Sequence, residues 1–279
     1  MDLSIYQLPV ISEAYQIKPY IGHEKILIVD LSSEENYQKG HVPGAVHVSP
    51  QAICAGETPT TGLLPDKAAL KALFDSLGLD PKTLVVAYDD QNGCWAGRFI
   101  WVLEMIGHFR YSYVHGYSFL NGGIAAWQEA GYEVETSANT REHSDAVIDC
   151  QAAHHQADMQ HISAHLDADG TIIWDARSPE EFSGADKRAE KGGHIPGALN
   201  YEWKRCLDEN GKVRDLDDIR EELYETHIHG NKEIITHCQT HRRSGLTYLV
   251  GKALEFPRIK AYPGSWAEWG NHPDTPVEN

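Results

Sequence analysis

Cysteine is scarce in this sequence. There are five among 279 residues (Cys54, Cys94, Cys150, Cys206, Cys238), an odd number with no pair at CxxC spacing. Neither a disulfide framework nor a zinc site is suggested, and any cysteine chemistry rests on one thiol acting alone. Positive charge is also in short supply: lysine plus arginine number 24 against 41 aspartate plus glutamate, a formal net charge of −17. A surface of that average sign repels nucleic acid and anionic lipid, so neither is an expected partner. No run of about 18 apolar residues occurs, which argues against a membrane-spanning helix. The opening Met1-Asp2-Leu3-Ser4-Ile5-Tyr6 lacks the basic region and apolar core of a signal peptide, and a cytoplasmic location is expected. What is present is ordinary for a globular protein, with 41% hydrophobic and 23% charged residues, 24 Gly and 13 Pro. The length suits two domains at roughly 100–200 residues each.

Self-similarity supplies both domains. His41-Val42-Pro43-Gly44-Ala45 returns as His194-Ile195-Pro196-Gly197-Ala198, preceded by Gly40 and Gly193. Each segment follows an apolar run ending in aspartate, Ile26–Asp30 and Ile172–Asp175, and precedes another, Leu84–Tyr88 and Glu233–His237. A loop, a glycine and helically spaced apolar residues come next, Phe99, Val102, Leu103 and Ile106 in one half, Leu246, Leu249, Val250 and Ala253 in the other. Both halves close on Gly and Trp, at Gly122 to Trp127 and Gly264 to Trp269. Short apolar runs alternating with helical patterns predict an α/β fold in each half, a mostly parallel central sheet flanked by helices. The expected limits are 1–134 for the first domain, a polar linker at 135–146, and 147–279 for the second.

The halves differ where chemistry would sit. Aligning Ala96-Gly97 with Ser244-Gly245 sets Asp90 against Cys238, and aligning Asp30 with Asp175 sets Ser32 against Arg177. The first half thus lacks a thiol and a basic residue that the second has, the pattern of one silent and one active copy. Cys238 follows a strand and its loop enters a helix near Ser244-Gly245, so backbone amides converge on the sulfur and favour an anion. Such a thiol can drop from ~8.5 into the range ~3.5–7.5. Arg242 and Arg243 place fixed positive charge in that loop, with Arg177 as a third source, and a cationic pocket on an acidic protein draws in small anions.

These residues resemble those of a tandem-domain rhodanese, a sulfurtransferase of the thiosulfate and mercaptopyruvate group, from the Asp30 strand to Trp269. The loop Cys238-Gln239-Thr240-His241-Arg242-Arg243 is similar to a bacterial type that reads Cys, Gln, Thr, His, His, Arg, with Arg242 in place of the second His. The resemblance implies two tandem rhodanese-like domains, the first silent with Asp90 at the cysteine position. It implies ping-pong transfer of a sulfane sulfur through a Cys238 persulfide, without metal or organic cofactor. Arg177 and Arg243 would hold the sulfonate of thiosulfate, with Arg242 and Thr240 as further contacts and the amides of Gln239, His241 and Ser244 lining the sulfur. The acceptor would be cyanide in an assay and a thiol or sulfur-trafficking protein in the cell. The family's animal thiosulfate-specific members carry Lys where Thr240 stands, and its mercaptopyruvate-specific members a Gly-rich uncharged loop; the doubly basic loop here favours thiosulfate, with mercaptopyruvate as the alternative.

Other readings are weaker. A phosphatase or arsenate reductase on the same fold places Arg six residues after the cysteine, where this chain has Ser244. A persulfide carrier or redox sensor uses the same activated thiol. Cys94 is expected to be packing. His41 and His194 are assigned to a turn both copies need, and Ser178-Pro179-Glu180-Glu181 to a capped helix start. Asp175 is a candidate to orient Arg177. His143, His154, His155, His161 and His165 are expected on a solvated helical face. Residues 184–191, absent from the first half, are expected as a charged loop bordering the site.

Overall fold

The computed structural model describes residues 8–108, 116–150, 152–166 and 168–279; the opening hexapeptide lies outside them. The chain divides into two compact units, Met1–Ile53 with Pro65–Gln151 and Asn210–Lys212, and Cys54–Leu64 with Ala152–Glu209 and Val213–Asn279. The expected linker residues 135–146 belong to the first unit, and a short segment of the first half, 54–64, belongs to the second.

In the first unit, strands β1 (Ile11–Ser12), β2 (Ile26–Asp30), β3 (Val46–His47), β4 (Leu84–Tyr88) and β5 (Tyr117–Leu120) form a parallel sheet of order β1-β5-β4-β2-β3. Helices α1 (Ala14–Ile17), α2 (Glu34–Lys39), α3 (Lys67–Ser76), α4 (Cys94–Met105) and α5 (Gly123–Glu129) connect them. The second unit carries β6 (Thr171–Asp175), β7 (Leu199–Asn200), β8 (Glu233–His237) and β9 (Ile259–Ala261) in the parallel order β7-β6-β8-β9. Its helices are α6 (Ala152–His155), α7 (Met159–Ala164), α8 (Pro179–Phe182), α9 (Leu216–Glu225), α10 (Arg243–Ala253) and α11 (Ser265–Trp269). The four strands of the second sheet repeat the order of β5-β4-β2-β3. Where β1 adds a fifth strand to the first sheet, the second has a single parallel bridge between Gln156 and Ala261.

The central strands are continuous apolar runs because both faces are covered, as a parallel sheet requires: β2 and β4 are buried at every residue, and β6 and β8 at all but the first. Fully burying a side chain such as Ile173 or Ile235 stabilises by about 1.5–3 kcal/mol relative to exposure. Side-chain caps fix where helices begin. Asp66 accepts from the Ala69 amide at α3, and Ser178 and Glu181 form the expected capping box at α8 with Pro179 in the first turn.

The duplicated His-x-Pro-Gly-Ala segments do the same structural task twice. His41 stacks on Tyr37 at 3.8 Å and donates from Nδ1 to its carbonyl, while His194 stacks on Phe182 at 3.6 Å and donates likewise. His41 exchanges two backbone hydrogen bonds with Glu135, and His194 with Glu278. The carboxylates of Glu135 and Glu278 then accept from Gly44 and Gly197. The histidines are turn anchors in both units, as expected.

Candidate active site

Strand register settles which residues are equivalent. Asp30 pairs with Tyr88 in one sheet and Asp175 with His237 in the other, so the residue leaving the central strand is Asp89 in the first unit and Cys238 in the second. The expected match of Asp90 with Cys238 is therefore off by one, because the first loop contains one residue more. Asp90 itself binds the Ser33 amide and the Asn36 side chain. Asp89 is buried and accepts four backbone N–H donors, Gln91 at 2.8 Å, Gly93 at 2.8 Å, Trp95 at 2.6 Å and Ala96 at 2.8 Å. The first unit's loop is an anion nest already filled by its own carboxylate. Burial pushes the Asp89 carboxyl up and the four amides oppose that.

In the second unit the same place holds a sulfur. Cys238 is 1% exposed. Its loop is held from behind by the start of α11: the Cys238 carbonyl accepts from the Trp266 amide at 3.0 Å and the Gln239 carbonyl from Ala267 at 2.9 Å. Ser265 Oγ accepts from the amides of Cys238 (3.4 Å) and His241 (3.0 Å) and donates to the Tyr262 carbonyl. With its carbonyls drawn backwards, the loop turns other donors toward the sulfur. These are the amides of Thr240 and Ser244 and the Ser244 hydroxyl. With its one proton directed to the sulfur, that hydroxyl accepts from His241 Nδ1 at 2.8 Å, which assigns the His241 tautomer. Among the three amides expected on the sulfur, Ser244 is so placed, whereas His241 faces Ser265 and Thr240 supplies an amide not anticipated there.

Burial opposes a thiolate at Cys238, but the Arg243 guanidinium, the Ser244 hydroxyl and the two amides outweigh it and hold the thiol below its ordinary range. Arg243 begins α10. Its NH1 and NH2 lie 2.5 and 2.8 Å from the two carboxylate oxygens of Glu181, which is 2% exposed. Burial works against the guanidinium charge, yet Glu181 and Cys238 keep it protonated. Burial raises and Arg243 lowers the Glu181 carboxyl, with a net fall. Glu181 was expected only as a helix cap. It does cap α8, and it also fixes the charge that faces the sulfur.

Arg177 is bound mainly by its own unit. Its side chain is buried, with Nε 3.0 Å from both Asp175 oxygens, NH2 at 2.6 Å from Oδ2, and NH2 donating to the Gly193 carbonyl at 2.9 Å. The guanidinium lies 4.3 Å over the Trp266 ring. Arg177 is thus a strut that joins the end of β6, the Gly193 turn and α11, and its charge is answered by Asp175, as the orienting role for Asp175 anticipates. Burial keeps the neighbouring His237 neutral, with its ring 3.5 Å from Asp175.

The charged insertion does border the site, since Gln239 Nε2 donates to the Arg188 carbonyl and Arg188 Nε lies 3.8 Å from Glu181. Arg242 stands at the N-cap of α10 and is half-buried. Cys94 is buried in the first turn of α4, in keeping with packing. The histidine cluster is not a uniformly solvated face: His155 is buried against Tyr248, and His161 pairs with Glu233 at 2.6 Å.

The rhodanese-like domain pattern matches residues 13–130 and again 158–272. The chain belongs to the rhodanese family. It is 45% identical over 273 residues to the thiosulfate sulfurtransferase of Pseudomonas aeruginosa, with 97% of each chain covered. The thiosulfate sulfurtransferase of Azotobacter vinelandii is 44% identical over 273 residues, again with 97% of each covered. The 3-mercaptopyruvate sulfurtransferase of Escherichia coli K12 is more distant, 28% identical with 89% of this chain and 87% of that one covered. Among solved structures, the anaerobic ergothioneine biosynthesis enzyme of Chlorobium limicola superposes with a TM-score of 0.83 at 21% identity, over 97% of this chain and 70% of that one; that likeness concerns the fold. The doubled rhodanese architecture inferred from the repeat is thereby established.

Among the residues that sequence reasoning missed, Ser265 had a visible signal. It stands where the first unit has Gly123, and both adopt left-handed backbone, φ +53° and +58°, a conformation unusual for a residue with a side chain. Glu181 had none, because its capping box explained it fully.

Proposed function

We propose that this rhodanese is a thiosulfate sulfurtransferase that works through a persulfide on Cys238. The observation that carries the reading is the Cys238 sulfur in its nest, with Arg243 as the largest influence favouring the anion. The thiolate attacks the outer sulfur of thiosulfate. The bond between the two sulfurs of the donor breaks, and sulfite leaves with the electron pair. A negatively charged persulfide remains, for which the donors that stabilised the thiolate are already in place. A thiophilic acceptor such as cyanide then attacks the terminal sulfur, departs as thiocyanate and restores the thiolate. Arg243, with Arg242 at the same helix start, supplies positive charge for the sulfonate; Arg177 serves through its struts. Names and identity of the relatives favour thiosulfate over 3-mercaptopyruvate as donor. A working thiolate also fits a reducing compartment, which supports a cytoplasmic location; among the described residues no helix is long and apolar enough to cross a membrane.

Intact mass tests this directly. Thiosulfate should add one sulfur atom, cyanide should remove it, and Cys238→Ala should abolish the gain while Cys94→Ala leaves it unchanged. No gain in the wild type, or a gain that survives Cys238→Ala, refutes the assignment.

A further inference from the structure

The segment 54–64, contributed by the silent half but packed in the catalytic unit, has no part in the chemistry above. Its ends are tied by a two-way backbone bridge, Ala55 N to Leu63 O at 2.9 Å and Leu63 N to Ala55 O at 3.1 Å. Gly56 makes the tight return with φ +95° and has the Thr60 carbonyl where a Cβ would stand. The segment is thus a closed loop with its own geometry. At its far end, buried Gly62 meets the catalytic loop. A Cβ on Gly62 would lie 2.3 Å from the Thr240 carbonyl oxygen and 2.8 Å from that of Pro263. Gly62 does not adopt left-handed backbone, so glycine is required there by space.

Both neighbours matter to the sulfur. The Thr240 carbonyl shares a peptide plane with the His241 amide, which donates to Ser265 Oγ at 3.0 Å. The preceding plane presents the Thr240 amide to Cys238. Pro263 leads through Gly264 into Ser265, whose hydroxyl holds the loop from behind. A push on either carbonyl tilts the peptides that aim donors at the sulfur. Backbone cannot step aside as a flexible side chain can.

We propose that Gly62, and through it the 54–64 segment, is a positioning element of the catalytic loop that sets the Thr240 peptide against the Cys238 sulfur. The first half of the chain, silent in its own loop, then has a function in the active one. The inference rests on Cys238 being the reactive thiol, but not on the identity of the donor.

The test is the pH dependence of Cys238 alkylation by iodoacetamide, followed by mass on the full-length protein, for wild type, Gly62→Ala and Gly170→Ala. Position 170 has ordinary backbone and open space around a Cβ, so its variant should match the wild type. Gly62→Ala should move the midpoint upward by about one unit, a roughly 10-fold loss of thiolate at pH values below the midpoint, with the rate recovered at high pH. A structural collapse would not recover there. If Gly62→Ala does not fold, Leu63→Ala, which loosens the segment without adding bulk, should shift the midpoint in the same direction. An unchanged midpoint in the folded variant, a loss that high pH does not restore, or an equal shift in Gly170→Ala overturns the proposal. Alkylation needs no sulfur donor, so a protein inert to thiosulfate would still give a decisive result here.

Discussion

Replacing Arg243 with methionine, alone and together with Glu181→Gln, separates the two tasks this arginine performs. Arg243→Met leaves the Glu181 carboxylate at 2% exposure without its bidentate partner. Breaking a fully buried ion pair costs about 3–5 kcal/mol. The Arg243 side chain is 23% exposed, and solvent screening brings the expected cost to the lower end, about 2–3 kcal/mol. At about 2–4 °C per kcal/mol for a domain of this size, the melting temperature should fall by about 5–10 °C. Glu181→Gln in the same chain removes the stranded charge and keeps the capping hydrogen bond to Ser178, so most of that loss should return. The sulfur should not recover. It has lost the largest influence that favours its anion, and its midpoint should rise by about 1–3 units in both variants, the usual effect of one close opposite charge. Thermal unfolding measures the first effect and the pH profile of Cys238 alkylation the second. If the double variant regains the wild-type alkylation midpoint along with its melting temperature, Arg243 acts through packing, and the electrostatic account of the thiol is wrong.

Asp89→Asn in the first unit should turn an amide NH2 toward two of the four backbone donors that now share the carboxylate. Leaving two buried N–H groups unpaired costs about 2–6 kcal/mol, and a melting temperature within a degree of wild type would show that Asp89 does not hold that loop. Thermal unfolding should also report the Cys238 titration. Its pKa is lowered on folding, so the stability it contributes is fully present above the unfolded value of about 8.5 and is lost as pH falls through the folded value. The melting-temperature gap between wild type and Cys238→Ser should therefore narrow from about pH 9 downward, and a gap that widens on acidification contradicts the sign. For thiosulfate turnover, Arg243→Ala should raise the apparent KM more than Thr240→Ala, and the reverse order would move the sulfonate contact to Thr240.

The doubled fold was legible because each element leaves a local trace. β2, β4, β6 and β8 are apolar runs, α4 and α10 carry helical spacing, and the His-x-Pro-Gly-Ala turn is spelled out twice. The place of Cys238, between a strand and a helix, was legible for the same reason. The errors arise where the deciding contact is distant in sequence. Asp90 took the place of Asp89 because only the pairing of Asp30 with Tyr88 reveals where the strand ends and the longer loop begins. The 54–64 segment gives no local sign that its glycine abuts a loop far along the chain.

Arg177 and Arg243 show the more general difficulty. A sequence displays the sign of a side chain, whereas a site responds to charge left over after partners are counted. Counting Arg177, Arg242 and Arg243 suggests three positive charges at the sulfur. The structure answers Arg177 with Asp175 and sets Glu181 against Arg243, so the field at Cys238 is weaker than that sum. The donors from Thr240 and Ser244 add to what Arg243 contributes. The first unit makes the same point from the other side: its Asp89 carboxyl accepts from four amides, with no arginine among its hydrogen-bond donors in the described residues. The nest is common to both units. What distinguishes the second is a sulfur in place of a fixed carboxylate, and an arginine that Glu181 holds within hydrogen-bonding reach of that sulfur, where it favours the anion.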